Sequence, residues 1–463
     1  MNRHLIPSLA TMLALSACTH APTLQRYQPP PQEQFVNAQG ASSQEPVAEF
    51  WHGFHDELLD SLVQRALKAN SDIRTAAASL QEARALNRIA DANLLPSVGV
   101  DVGAARIRAK NDAGVTQTNN VYSAGFDVAW EVDLFGRLSD ARRAAVAGVL
   151  AGQAGLNAAQ LSISAEVARN YFELRGLQER LRVAVLSLET QQEALKLVEA
   201  REEVGRGTAL DTERARALVK STAAQIPALD AALIRSRYRL AVLCGLPPTA
   251  LDAELAAPRP LPGLAPVDLG GIGSPASLLR RRPDIQQAEA QAAAAAAQAG
   301  VARGALFPTI TLGGTLGQNA SSWGTLHEGA SYAYNLGAQL TWNLLDFGRI
   351  RAQISAADAR NDAAMVSYER TVLNALEETE GALAGYTRTQ RQAQLLWEAA
   401  RSSEQAAVIA RERFAVGSTD FLTVLDAERE LLSARDQLAQ AQTGAATSLV
   451  AVYKALAGGW GPN

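Results

Sequence analysis

The sequence predicts an α+β membrane protein in which one unit, a hairpin of strands followed by a very long helix, occurs twice. Three observations carry that expectation. Residues 137–203 and 349–415 are long runs without proline, rich in the helix formers Ala, Leu, Gln, Glu and Arg. The segment ahead of each run alternates apolar and small polar residues with the period of a strand. The two halves also superpose at one constant offset of 212 positions: Asp72-Ile73 on Asp284-Ile285, Pro96 on Pro308, Trp130 on Trp342, Phe135-Gly136-Arg137 on Phe347-Gly348-Arg349, and Val204-Gly205 on Val416-Gly417. Agreement of Trp, Pro and Gly at a single offset is the signature of a tandem duplication.

At the N-terminus, Arg3 and His4 precede an apolar run from Leu5 to Leu15, too short to span a bilayer as a mature helix. Residues 1–17 read as a signal peptide. They end Leu15-Ser16-Ala17 before Cys18, which resembles the lipobox of bacterial lipoproteins, in which the cysteine carries the covalent lipid (palmitate among its acyl chains). Thr19 follows where an aspartate would resemble an inner-membrane retention signal, so the outer membrane is the expected address. Residues 18–50 are Pro-, Gln- and Ser-rich and are expected to be an extended tether.

The first repeat, residues 51–246, opens at Phe50-Trp51 with one helix expected from Glu57 through Asn93, stopped by Pro96. Val98, Val100 and Val102 then alternate with Gly99, Asp101 and Gly103, and Tyr122, Ala124, Phe126, Val128 and Trp130 alternate with small or polar residues. A surface loop from Arg108 to Asn120 is expected between these strands. Gly136 and Gly348 are expected to make the turns from strand to helix. In the long helix, Leu174, Leu177, Leu181, Ala184, Leu188, Gln191, Leu195 and Val198 fall at alternating steps of three and four, the seam of a coiled coil. Shorter helices are expected to return from Asp211 to Leu243 and from Leu422 to Leu456.

Residues 247–275 hold seven prolines and form a connector. The second repeat, residues 276–463, has strands at Ile310–Leu316 and Tyr332–Trp342 with one greasy and one small polar face. Strands of about 9–11 residues cross a bilayer when tilted. Four are too few to close a barrel, and an open edge in lipid leaves backbone groups unsatisfied. The barrel is therefore shared between chains: three would supply twelve strands and two would supply eight.

A net charge of −4 with no basic patch argues against nucleic acid. Histidine occurs only at 4, 20, 52, 55 and 327, and no nucleotide-loop, serine-hydrolase or zinc-protease motif is present, so no catalytic residue, metal or cofactor is expected. His52, His55 and Asp56 read as capping and packing residues. Methionine at 1, 12 and 365 alone argues against a thioether copper pathway. Cys244 reads as a small buried hydrophobe.

Phe50-Trp51, Asp72-Ile73-Arg74, Arg281-Arg282-Pro283-Asp284-Ile285 with Ala288-Glu289, Leu306-Phe307-Pro308, Trp342 through Arg349 and Leu425-Asp426-Ala427 together resemble the TolC-like outer-membrane efflux proteins. Within them they resemble the lipoprotein branch of OprM and the NodT-type proteins. The resemblance implies a homotrimer, with a 12-strand transmembrane β-barrel continuous with a 12-helix periplasmic coiled-coil barrel. It implies an efflux channel for drugs or other toxic small molecules, with a periplasmic adaptor and an inner-membrane pump of the RND type as partners. The adaptor would dock on tips formed by Val204, Gly205, Arg206 and Gly207 and by Val416, Gly417, Ser418 and Thr419. Asp211 and Asp426 would form carboxylate rings at the periplasmic aperture, with Phe414 and Thr423 also lining it. Phe414 stands where a tyrosine can be, Thr419 where an arginine can be and Thr423 where a second aspartate can be, so the polar latch of the best-known member lacks its usual side chains here. Two other readings are a coiled-coil structural lipoprotein without a pore and an exit duct for type I protein secretion; the first gives no reason for four duplicated strands.

Overall fold

The computed structural model describes residues 34–37, 49–110, 112, 114–262, 272–328 and 332–457. The signal peptide, Cys18, most of the tether and part of the connector lie outside them. The helices are α1 (Glu57–Ala69), α2 (Ser71–Ala92), α3 (Arg137–Glu203), α4 (Ala209–Leu243), α5 (Pro275–Arg281), α6 (Pro283–Gly304), α7 (Arg349–Ala415) and α8 (Phe421–Ala455). The strands are β1 (Ser97–Lys110), β2 (Thr116–Val132), β3 (Thr309–Ala320) and β4 (Tyr332–Thr341). The duplication holds at the level of element ends: α2 and α6, α3 and α7, and α4 and α8 each begin and end 212 positions apart. Both long helices have 67 residues and both return helices 35.

Two expectations are corrected. The single helix expected from Glu57 to Asn93 is two, because Asn70 ends α1 and its Oδ1 accepts from the amides of Asp72 and Ile73 (2.8 and 3.3 Å) to start α2. The loop expected from Arg108 to Asn120 is much shorter. Cross-strand pairing continues to Lys110 opposite Thr116, since polar side chains do not prevent two neighbouring backbones from bonding. The second repeat begins its helical structure at Pro275, the last residue assigned to the connector.

Contacts divide the chain into two units. The first contains Ala78–Ala154 and Gln286–Arg370. Its centre is an antiparallel sheet ordered β1-β2-β3-β4, so the two repeats meet where β2 pairs β3. One sheet face is apolar and exposed, with Leu336 82% and Tyr334 79% accessible; Val100 lies opposite Phe126, Phe126 opposite Leu316 and Leu316 opposite Tyr334. The opposite face carries small and polar residues, including Gly99, Asp127, Thr315 and Asn335 along one row. Gly125 and Gly317 face each other where a Cβ on Gly125 would lie 2.8 Å from the Gly317 Cα, so the close approach requires glycine. No described helix is long and apolar enough to cross a membrane.

The second unit comprises the described residues of Pro29–Ala77, Gly155–Ile285 and Thr371–Asn463. Its main core gathers Trp51, Leu59, Leu62, Tyr171, Leu174, Leu240 and Leu278, all but excluded from water. Cys244 is buried in it, which pushes the thiol pKa up to about 11. Arg175, 1% exposed, donates to Gln178 Oε1 and the Ala257 carbonyl, holding the connector onto α3. Ahead of the repeats, Phe35 is buried, and Glu380 of α7 accepts from the amides of Val36 and Asn37.

Candidate functional site

Both helical tips lie in the second unit, and each is built by the same local rule. At the end of α3 Gly205 takes φ 69°, its amide donates to Glu202 O (2.9 Å) and the Arg206 amide to Arg201 O (2.7 Å). At the end of α7 Gly417 takes φ 77°, with matching bonds from Gly417 to Phe414 O (3.0 Å) and from Ser418 to Arg413 O (2.9 Å). This is the Schellman closure, in which glycine takes the left-handed position without a Cβ penalty. Gly136 and Gly348 also have positive φ, 78° and 85°, at the expected turns in the first unit.

The helices that leave the tips are capped by the same two chemical groups in exchanged order. Thr208 caps α4: its Oγ1 accepts from the Asp211 amide and donates to Asp211 Oδ2 (2.7 Å). At the positions 212 residues on, Asp420 caps α8: its Oδ1 accepts from the Thr423 amide (3.0 Å) and the Thr423 hydroxyl (2.6 Å). Each tip thus carries one carboxylate at a helix N-terminus, where the helix dipole favours negative charge. The Thr423 hydroxyl, then its amide, hold the Asp420 carboxyl below the usual carboxylate range. Asp420 was missed from sequence. The offset that aligns Thr208 with Asp420 and Asp211 with Thr423 was the signal that could have found it.

The two tips are tied together by Arg201, also missed. Its guanidinium lies 4.0 Å from the Phe414 ring centroid and donates to the carbonyls of Phe414 (3.0 Å) and Ala415 (3.3 Å). A cation over an aromatic face and at a helix C-terminus is favourable on both counts. Phe414 also meets Phe421 at 5.4 Å between centroids. Beneath lies a small core of Val198, Ala215, Leu218, Ala410, Phe421, Val424 and Leu425. Asp426 is exposed on α8 immediately after buried Leu425, while Glu428 is buried and accepts from Arg411 (2.9 Å). Burial raises the Glu428 carboxyl above its ordinary value, outweighing Arg411 and Arg435. Val204 and Val416 are 70% and 80% exposed, so the tips present apolar points outward.

Near the start of α1, His52 contacts Asp60 (2.9 Å) and Glu49 (3.2 Å), and the Asp56 carboxylate caps α1 and pairs with Arg259. Among the described residues no group of three or more His, Cys, Asp or Glu could hold a metal ion.

The family model described as outer membrane efflux protein matches residues 62–246 and 275–458, one match to each repeat. The chain belongs to this family. This outer membrane efflux protein is 34% identical over 462 residues to the pyoverdine export outer membrane protein OpmQ of Pseudomonas aeruginosa, covering 98% of this chain and 96% of that one. It is 31% identical to the toluene efflux pump outer membrane protein TtgF of Pseudomonas putida, covering 99% and 98%. Among solved structures, the outer-membrane channel OprN is 37% identical, with a TM-score of 0.89 over 96% of this chain and 100% of that one. The open state of the Neisseria gonorrhoeae MtrE outer membrane channel is 29% identical, with a TM-score of 0.83 over 96% and 98%. The efflux protein is thus an outer-membrane channel component of TolC-like fold, and the expected location, the duplicated fold of the single chain and the broad function stand.

Proposed function

We propose that this efflux protein is the outer-membrane duct of a tripartite pump, passively conducting small organic molecules that an inner-membrane pump of the RND type and a periplasmic adaptor deliver. Three copies close one tube: four strands from each make a twelve-strand barrel, and the long helices make a twelve-helix barrel. The single observation that carries the reading is the sheet, whose apolar face is exposed from β1 to β4 and whose two outer edges have no strand partner among the described residues. Exposed backbone on a sheet edge is intolerable in hydrocarbon, where each unsatisfied group costs several kcal/mol, so closure by further copies is the physical remedy.

In this reading the tips, 204–207 and 416–419, receive the adaptor, and Asp211 and Asp420, with Asp426 behind them, make the aperture electronegative. Small-molecule cargo is supported by relatives named for pyoverdine export and toluene efflux. Residues 18–50 tether the body through a lipid on Cys18. The test is conductance of the purified protein in planar bilayers. Discrete cation-selective steps are expected, and replacing Asp211, Asp420 and Asp426 by Asn should shift the reversal potential toward zero selectivity. Absence of any pore refutes the duct; a pore whose selectivity is unmoved refutes the carboxylate aperture.

A further inference from the structure

We infer that Arg106, Arg108 and Lys110, in the half of β1 farther from the helices, form a docking strip for the phosphate groups of outer-leaflet lipid. The inference rests on the proposal that the sheet belongs to a barrel in the outer membrane, and it names the lipid chemistry that the barrel selects. Alternate residues of a strand share one face of the sheet. On β1 the even positions run Val98, Val100, Val102 and Ala104, then change to Arg106, Arg108 and Lys110. All three cations are exposed, and no ion pair to any of them is present among the described residues.

The change falls where the apolar face ends. On β2 that face is apolar from Trp130 to Tyr122; Ala104 lies opposite Tyr122, while Arg106, Arg108 and Lys110 lie opposite Asn120, Thr118 and Thr116. The eight steps from Trp130 to Tyr122, at about 3.4 Å each and a tilt of about 40°, rise roughly 21 Å, close to the ~25 Å apolar band of an outer-membrane barrel. Aromatic side chains stand at both ends of the band, as at the two interfaces of such a barrel. At one end the indoles of Trp130 and Trp342 donate to the carbonyls of Leu94 and Leu306 (3.0 Å each); at the other Tyr122 meets Trp323 with centroids 5.9 Å apart. The helices leave from the tryptophan end, so the tyrosine end is the outer one. Arg106 therefore stands at headgroup depth, with Arg108 and Lys110 following at intervals of about 7 Å.

Nothing in the fold demands cations there. The positions 212 residues on are Gln318, Ala320 and Ser322, so the second repeat builds the equivalent stretch without charge. The odd positions of the same part of β1 are Ala105, Ile107 and Ala109, so the charges are confined to the face that is apolar nearer the helices. Three like charges so closely spaced repel one another until an anion lies among them, and this in a chain of net charge −4. Phosphate fits the strip: guanidinium forks grip it bidentately, lysine binds it as a point charge, and the facing Thr116, Thr118 and Asn120 supply neutral donors.

The test is native mass spectrometry of the full-length protein in uncharged detergent with added lipopolysaccharide, the phosphate-bearing glycolipid of the outer leaflet. Lipid retained by the parent is compared with that retained by a variant carrying Arg106→Gln, Arg108→Gln and Lys110→Gln. Each cation at an anionic surface is worth roughly fivefold in affinity, so the variant should bind on the order of a hundredfold more weakly. Arg106→Lys with Arg108→Lys should keep most of the binding. Dephosphorylated lipopolysaccharide should bind parent and glutamine variant alike, and excess inorganic phosphate should not displace the intact lipid. Removing three exposed cations elsewhere, by Lys68→Gln, Lys220→Gln and Arg429→Gln, should leave binding as in the parent. Equal retention by parent and glutamine variant, an equal loss in that control, or displacement by inorganic phosphate each overturns the strip. Should the glutamine variant fail to assemble, Arg108→Glu alone must show the loss. A parent without a pore in planar bilayers overturns the outer-membrane duct on which the strip depends, whereas a pore with equal lipid retention overturns the strip alone.

Discussion

Arg201, in the last turn of α3, covers the ring of Phe414, in the last turn of α7, at 4.0 Å and binds that residue's carbonyl at 3.0 Å. One side chain therefore binds the last carbonyls of the second hairpin from the first, sharing that of Phe414 with the Gly417 amide, and the two tips are mechanically a pair. Arg201→Gln removes the cation and shortens the reach, at a cost of about 0.5–2 kcal/mol. Tryptic cleavage after Arg413 should accelerate in the variant relative to the parent. Unchanged cleavage would mean that the Phe421 contact alone holds the tip.

The exchange of Thr208/Asp211 for Asp420/Thr423 gives a pH prediction. Asp420 has a depressed carboxyl, so the stability it adds is present above its unfolded value of about 3.9 and is lost as pH falls through the lower folded value. Thr423→Ala deletes the hydroxyl, the largest cause, and should raise the Asp420 titration midpoint in an NMR titration of the carboxyl carbon. A midpoint that does not move would show that the backbone amide and helix dipole are sufficient.

Glu428 has the opposite sign. Its carboxyl is raised by burial, so its contribution is present below its unfolded value of about 4.3 and is lost as pH rises through the higher folded value. Glu428→Gln keeps an acceptor for Arg411, itself partly solvated, and removes the buried charge. Thermal unfolding should then vary less between mildly acid and neutral pH than in the parent. A steeper dependence in the variant would contradict the assignment.

Gly176 of α3 lies against Thr443 of α8 so closely that an added Cβ would fall 2.0 Å from the threonine hydroxyl and 2.8 Å from its methyl. Gly176→Ala should destabilise by about 1–3 kcal/mol in denaturant titration. Thr443→Ala in the same chain should recover part of that loss, since it removes the hydroxyl and methyl and leaves only the Thr443 Cβ, 2.9 Å from the added Cβ, in conflict. Additive losses would place the strain elsewhere.

The lipid tether is tested at Cys18, outside the described residues. Cys18→Ala should abolish metabolic labelling with palmitate while the protein still reaches the outer membrane through its strands. Persistent labelling would remove the lipoprotein assignment.

Local regularities carried most of the architecture. The 212-residue offset, the positions of proline and the two hydrophobic periods placed α3, α7 and all four strands, because helix and strand formation respond to short-range pattern. They failed at Asn70, where one polar cap divides a continuous amphipathic run, and at Lys110 and Thr116, where backbone pairing outlasts the alternation. The candidate site was legible in part. Gly205 and Gly417 are visible as breaks after long helices, whereas Arg201 looks like any helical arginine until Phe414 is placed beneath it.

The sequence by itself determined that this protein is a duplicated strand-hairpin and long-helix unit, because repetition, chain stiffness and amphipathic period are written along the chain. Only the tertiary structure decided that the repeats join at β2 and β3, that Asp420 caps α8 through the Thr423 amide and hydroxyl, and which apolar edges are left open. Those outcomes depend on backbone groups and side chains hundreds of positions apart competing for the same partners, and no local pattern encodes which of them wins.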